Sequence, residues 1–284
     1  MSSNVYSVGL RNAGSYQVSG QPYLSGSTVT NSLGSNAEGH FVFPRVTKKV
    51  TVTNEDSTNN LIVSLSPFKQ SEASNYGFSN SASGSGNWLF LSASTSIELD
   101  VKCKEIFVAP AQATELTCSI MAELTNIPTN RLYSYDGIEG ISSASAQPAQ
   151  SSSYGVGINN VGSYLVSGQP YITGSYIESA ENKITANHEI SVEFPNVTKT
   201  FSVWNYSSDP ASKLRITFAQ TSSIQNYPAC YIELAQNETT KLDVKCKEIY
   251  LSAVGGDVRW KVYGSLTGIP RQRMYDLTGS GITH

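Results

Sequence analysis

Apolar and polar residues alternate with a period of two along most of the chain. Val50 and Val52 are separated by threonine, and Ile97, Leu99 and Val101 are separated by acidic residues. This alternation is typical of strands that bury one face, because successive side chains of a strand point to opposite sides of the sheet. Helical spacing is not sustained over three turns anywhere. The pattern predicts an all-β protein built from antiparallel β-sandwich domains.

The chain is a tandem duplication. The octapeptide LDVKCKEI occurs at residues 99–106 and again at residues 242–249. Three further blocks recur in the same order, namely GSYxVSGQPY, FPxVTK and LTxIP. Their positions are residues 14–23 and 162–171, 43–48 and 194–199, and 124–128 and 266–270. A repeated block order of this kind means that one domain is encoded twice.

The duplication predicts three parts. A first sandwich covers residues 1–140, a linker rich in Ser, Ala and Gln covers residues 141–153, and a second sandwich covers residues 154–284. We expect seven or eight strands in each half. The strand pattern leaves open whether each sandwich is jelly-roll-like or immunoglobulin-like. The GSYxVSGQPY block is interpreted as two short edge strands, since proline is tolerated at the edge of a sheet.

Composition narrows the range of partners. Charged residues make up 14% of the chain and the net charge is -3. There is therefore no basic field to hold nucleic acid or an acidic membrane. The chain also lacks an apolar stretch of the ~18 residues that a membrane span needs, and its first residues do not resemble a signal peptide. We expect a protein made in the cytoplasm that binds neither nucleic acid nor a membrane.

The four cysteines share strand parity with apolar neighbours, so we expect them in the cores as small hydrophobic residues. They are Cys103, Cys118, Cys230 and Cys246. Cys118 aligns with a tryptophan of the second repeat, which a required disulfide or metal ligand would not allow. No Cys-x-x-Cys pair or adjacent histidine indicates a metal site. We therefore predict no metal and no cofactor.

Signatures of catalysis are weak. The histidines His40, His188 and His284 stand in no motif with a nucleophile. Asp100 and Glu105, with their copies in the second repeat, offer the only conceivable carboxylate pair, which would suit a glycan hydrolase. A lysine on the same strand face as the aspartate favours a structural ion pair instead. We predict that the protein is not an enzyme, and the hydrolase is the least favoured alternative.

Four tyrosines recur in register at the start of the two halves: Tyr16, Tyr23, Tyr164 and Tyr171. Exposed, they would stack on sugars. Buried, they would pack in the core with their hydroxyl groups hydrogen-bonded. The second interpretation is slightly favoured. Exposure would instead support a carbohydrate-binding adhesin, or a head-fibre or receptor-binding protein.

The exit segments after the last strand of each half carry the candidate partner-binding residues. These are Arg131 and Tyr133 in the first half and Arg273 and Tyr275 in the second. Both pairs follow an Ile-Pro sequence that ends a strand. Exposed arginine and tyrosine are the residue types that dominate protein interfaces. We therefore expect a protein partner to contact the exit segments.

The repeated blocks, with the closing sequence RMYDLTGSGI at residues 273–282, resemble virion structural proteins of marine tailed phages. The chain resembles the β-rich decoration or cement proteins that sit on an assembled phage shell. The first repeat departs from the closing sequence, since it has RLYSYDGI at residues 131–138. The resemblance implies no catalytic residues. The two halves are expected to meet different partners.

That family implies a decoration or cement protein of the virion, assembled in the host cytoplasm. It would bind the outer surface of the shell and bridge neighbouring capsid subunits. Its partners would be the major capsid protein or other virion proteins, with self-association as a further option. Two linked domains suit this role, because tethering raises the effective concentration of the second domain on a repeating surface.

Overall fold

In the computed structural model, the described residues are 8–18, 20–30, 38–65, 88–111, 115–132, 157–166, 168–175, 183–220 and 231–275. Within these ranges the chain forms sixteen β-strands and two α-helices of four residues each, Gly14–Gln17 (α1) and Gly162–Leu165 (α2). Among the described helices, none is long and apolar enough to cross a membrane. The predicted all-β class is confirmed.

The first repeat contains eight strands in two four-stranded sheets. The strands are β1 (Gln21–Thr30), β2 (Gly39–Val42), β3 (Arg45–Asn54), β4 (Leu61–Ser64), β5 (Trp88–Leu91), β6 (Ser96–Leu99), β7 (Glu105–Pro110) and β8 (Glu115–Pro128). One sheet has the order β1-β8-β3-β6 and the other has the order β2-β7-β4-β5. Neighbouring strands are antiparallel.

The second repeat has the same eight strands in the same arrangement. They are β9 (Gln169–Gly174), β10 (Glu189–Glu193), β11 (Asn196–Asn205), β12 (Lys213–Thr217), β13 (Ile232–Leu234), β14 (Thr239–Leu242), β15 (Glu248–Val254) and β16 (Trp260–Pro270). The sheets are β9-β16-β11-β14 and β10-β15-β12-β13. Each repeat therefore has the strand order of a jelly roll, which decides between the two predicted sandwich types.

Spatial contacts divide the chain into two compact units, Met1–Pro170 and Tyr171–His284. The segment 157–170 therefore belongs to the first unit, although its sequence opens the second repeat. The predicted linker, residues 141–153, lies outside the described residues.

The long last strand of each repeat lies in the core, and the alternation of apolar and polar residues along 116–124 predicts which face of β8 is buried. In β8 the inward face is buried at Leu116, Cys118, Ile120, Ala122 and Leu124. In the second repeat Trp260 takes the place of Cys118 and is also buried. The cores thus differ in side-chain volume while sharing one strand order.

The cysteines of the described chain lie in these cores. Cys103, Cys118 and Cys246 are free thiols and are buried, as predicted. Burial raises the pKa of Cys103 and of Cys246 to about 12 and that of Cys118 to about 11. Cys230 lies outside the described residues.

The GSYxVSGQPY block differs in part from its prediction. Its second half is an edge strand in both repeats, and Pro22 and Pro170 lie in β1 and β9, each at the edge of a sheet. Its first half is a short helix instead of a strand. Local polar side chains stabilise this turn, since the Gly14 amide donates to Asn12 Oδ1 at 2.9 Å.

The alternation of apolar and polar residues breaks after Cys103, where Ile106 falls out of step with it. From the sequence alone this break is interpreted as a bulge or tight turn near residues 104–105, and the structure has a bend there. Strand β6 ends at Leu99 in one sheet, and β7 begins at Glu105 in the other sheet, with a bend at Lys104 between them. The change of parity marks the passage of the chain from one sheet to the other.

Candidate partner-binding surface

A buried threonine in each FPxVTK block joins that block to the octapeptide. Thr47 Oγ1 donates to the Val101 carbonyl at 2.7 Å and accepts from the Cys103 amide at 2.9 Å. A shift of register in the pairing of β3 with β8 falls on each side of Thr47. Because the pairing of β3 with β8 is irregular at this point, the Thr47 side chain contacts the segment that runs from one sheet to the other. We call this arrangement the threonine latch.

The second repeat has the same latch. Thr198 Oγ1 donates to the Val244 carbonyl at 2.6 Å and accepts from the Cys246 amide at 3.0 Å. The same shifts of register occur in the pairing of β11 with β16. In each repeat the FPxVTK block and the octapeptide therefore supply the two sides of this latch.

The LTxIP block makes a second internal connection. Thr125 Oγ1 donates to the Val46 carbonyl at 2.8 Å and accepts from the Ile127 amide at 3.1 Å. In the second repeat Thr267 makes the same two contacts, with Val197 at 2.8 Å and with Ile269 at 3.1 Å. In both repeats this threonine side chain thus connects the last strand to the FPxVTK block.

The carboxylates considered for catalysis lie in different sheets. Asp100 follows β6, and its Oδ1 lies 4.0 Å from Lys49 Nζ. Glu105 begins β7, and its Oε2 lies 2.9 Å from His40 Nε2. Lys49 of β3 is thus an ion-pair partner of Asp100, whereas Lys102, which was expected to share the polar face of Asp100, is buried. In the described part of the chain, no three His, Cys, Asp or Glu side chains could together hold a metal ion.

The recurring tyrosines pack against their own units. Tyr16 is buried, and its hydroxyl donates to the Leu10 carbonyl at 3.1 Å. The half-buried Tyr164 makes the matching bond to Ile158 at 3.0 Å. The rings of Tyr23 and Tyr171 are also half-buried, and each meets a core phenylalanine edge-on. The interpretation as packing residues describes them better than a sugar-stacking groove does.

The exit segments begin as matching 3-10 turns, Thr129–Arg131 and Arg271–Arg273. Arg131 is exposed, and its Nη1 donates to the Val8 carbonyl at 2.7 Å, so this arginine ties the N-terminal segment to the end of β8. Arg273 and Tyr275 are exposed. Tyr133 lies outside the described residues. The structure thus places three of the four predicted contact residues in the exit segments, as the sequence indicated.

Arg271 is a charged residue that the sequence comparison missed. It donates from Nη1 to Glu193 Oε2, and this partner lowers the pKa of the Glu193 carboxyl. The equivalent position in the first repeat is threonine, so the repeats gave no matching signal. The second exit segment therefore presents two arginines beside Tyr275, whereas the first presents one.

An exposed apolar pair on the first repeat was also missed. Leu24 of β1 lies directly opposite Met121 of β8, and both side chains point outward. Both residues stand where the alternation along their strands predicts polar side chains. Only this mismatch could have revealed the pair from the sequence. We call these two residues the outer pair. Exposed apolar residues that neighbour one another are more informative than scattered ones.

No protein-family model and no curated protein matches the chain. Its similarity to solved structures is at the level of architecture. The STIV MCP crystal structure has 11% identity over 89% of this chain and 98% of that chain, with a TM-score of 0.33. YhaK from Escherichia coli has 10% identity over 89% and 95%, with a TM-score of 0.31. A cupin 2 conserved barrel protein from Leptotrichia buccalis has 6% identity over 86% and 83%, with a TM-score of 0.27. At these scores the likenesses carry no argument about function.

Proposed function

We propose that this chain is a non-enzymatic structural protein of a virus particle. In this role it is a decoration or cement protein that binds the outer surface of the shell and bridges neighbouring capsid subunits. The observation that carries the proposal is the pair of jelly-roll units in one chain, each followed by an exit segment with exposed contact residues. A repeating shell offers two equivalent sites to such a pair.

The distribution of polar side chains supports a binding role. The threonines of the repeated blocks take part in internal hydrogen bonds, and the candidate carboxylates take part in separate ion pairs. The residues that project from the fold are instead arginine and tyrosine of the exit segments. These types contribute strongly to protein interfaces because they combine a large contact area with hydrogen bonding.

The first test is quantitative mass spectrometry of purified particles from the source. Copies of this chain are counted against copies of the major shell protein. A fixed ratio with hundreds of copies per particle supports the cement role. A handful of copies supports a vertex or fibre adhesin instead, and absence from the particles refutes a virion role.

A second test addresses the exit segments. Purified chain is added to shells that lack it, and the bound fraction is measured by co-sedimentation. Arg273→Ala and Tyr275→Ala are expected to weaken binding at least tenfold, because both side chains are exposed in the segment proposed to make the contact. Arg45→Ala, an exposed arginine at the start of β3, is the matched control. Equal loss in the control would contradict a contact through the exit segment.

The bivalent design has its own test. A protease site inserted between Ala144 and Ser152 allows the chain to be cut after purification. Cutting is expected to leave both units folded while sharply weakening attachment, because the gain from tethering is lost. Attachment of either half alone as tight as that of the intact chain would contradict the bridging role.

A further inference from the structure

The segment that precedes the first strand of each repeat has the same local structure in both copies. In the first repeat the Gly9 amide donates to Ser15 Oγ at 3.1 Å, and in the second the Gly157 amide donates to Ser163 Oγ at 3.1 Å. In both, the amide of the first helical residue donates to the Oδ1 atom of the asparagine two residues earlier, at 2.9 Å in each case. We call residues 8–18 with Gly20, and residues 157–166 with Gly168, the first and second turn segments. Each is held together by its own hydrogen bonds and is therefore preorganised.

The second turn segment pairs with the octapeptide of the first unit. Gly168 forms a parallel bridge with Val101. The Lys102 amide donates to the Gly168 carbonyl, and the Gly168 amide donates to the Asp100 carbonyl, each at 3.3 Å. Gly168 is buried, and so are Val101 and Lys102. The octapeptide of the first repeat is thus already covered by the second turn segment.

The identical octapeptide of the second repeat is open. Among the isolated bridges of the described chain, none joins a segment to Val244 as Gly168 joins Val101. Asp243 is exposed, and Val244 and Lys245 are partly exposed. Since the eight residues are the same in both repeats, the difference in burial comes from their surroundings. The second octapeptide therefore has the same residues as the first, but in the described part of the chain no turn segment covers it.

Several residues at the end of the first turn segment and near it are more exposed than their counterparts in the second repeat. Gly20 is partly exposed, whereas its counterpart Gly168 is buried. Apolar residues follow the same rule, exposed in the first repeat and buried at the equivalent position of the second. The pairs are Val18 (48% exposed) with Val166 (6%), Leu24 (78%) with Ile172 (1%), and Met121 (48%) with Tyr263 (3%). The first repeat therefore presents a free donor surface that includes the outer pair.

We propose that the first turn segment of one chain docks on the open octapeptide of a second copy. In this contact the Lys245 amide of the second copy donates to the Gly20 carbonyl of the first, and the Gly20 amide of the first donates to the Asp243 carbonyl of the second copy. Val18 and the outer pair become buried. Within the described residues, each chain has one uncovered turn segment and one uncovered octapeptide, so the contact is head-to-tail. Head-to-tail contacts build closed rings or open filaments. This inference holds whether or not the chain binds a viral shell.

The test uses the purified full chain alone. Sedimentation velocity over a range of concentrations is expected to show masses above the 30.6 kDa of one chain. Val18→Asp blocks the donor by placing a charge in the contact, and Lys245→Pro removes the acceptor amide. Each variant alone is expected to remain a monomer. Mixed in equal amounts they are expected to form a dimer and nothing larger, because only one donor and one acceptor remain.

Val42→Asp is the matched control, since Val42 is 58% exposed but lies on β2 of the other sheet. It is expected to assemble as the wild type does. If circular dichroism shows that Lys245→Pro does not fold, excess Val18→Asp serves instead and is expected to shorten wild-type assemblies by occupying their donors. A wild-type mass that stays at one chain up to ~1 mM, or equal loss of assembly in the control, would overturn the proposal.

Discussion

Replacement of Thr47 by valine isolates the energy of the threonine latch. The side chain is fully buried, and valine has nearly the same shape, so little cavity is created. The change removes the hydroxyl and leaves the Val101 carbonyl and the Cys103 amide without this hydrogen-bond partner. A buried backbone group that loses its partner costs about 1–3 kcal/mol. Thr47→Val is therefore expected to reduce the free energy of unfolding of the first unit by about 2–5 kcal/mol.

Urea unfolding followed by fluorescence measures this loss. Trp88 reports on the first unit, whereas Trp204 and Trp260 report on the second. Two units give two transitions, so each has its own midpoint. Thr47→Val is expected to move the first transition and leave the second unchanged. Thr198→Val is expected to do the reverse, because it removes the equivalent latch.

Thr53→Val on the same strand is the control. Thr53 is half-exposed, and the loss of its hydroxyl is expected to change stability by less than about 0.5 kcal/mol. A loss below about 0.5 kcal/mol for Thr47→Val would refute the argument that this latch stabilises the first unit.

Three further results are expected. Cys103 and Cys246 should resist alkylation at pH 8 until the protein is denatured, because burial raises both pKa values; rapid native labelling by mass spectrometry would contradict this. Burial lowers the pKa of Lys261, so stability should rise with pH toward 10.5, and Lys261→Met should remove that slope and add about 1–4 kcal/mol in urea unfolding. Arg271→Ala should cost at most about 1 kcal/mol at pH 7, because solvent screens the pair, and nothing once low pH protonates Glu193.

The sequence was sufficient for the features that depend on local pattern. Alternation along residues 116–124 predicted the buried face of β8, and parity predicted the burial of Cys103. Strand order was beyond it, because both sandwich types share the same alternation and differ in which strands pair at long range. The short helix at residues 14–17 was missed since its stability comes from hydrogen bonds of Asn12 and Ser15 and not from apolar spacing.

The candidate site shows the same division. Exposure of Arg131 and Arg273 followed from their place beyond an Ile-Pro sequence at a strand end. The pair formed by Leu24 and Met121 did not, because residues 97 positions apart meet only through the register of β1 with β8. Identical octapeptides likewise gave no sign that one is covered and the other open. The burial of a segment depends on which other segments pack against it, so the residues of the segment alone do not predict it.

The strand order has a consequence for how the protein is made. The last strand of the first repeat, β8, lies between β1 and β3, so the sheet that contains them has no centre until residue 128 has left the ribosome. Earlier strands must wait, because pairing across such long sequence separations is slow. The first domain then closes while the second is still being translated, and the same wait is repeated until β16 is complete. Vectorial synthesis is thus expected to limit wrong pairing between the strands of two domains that share one strand order.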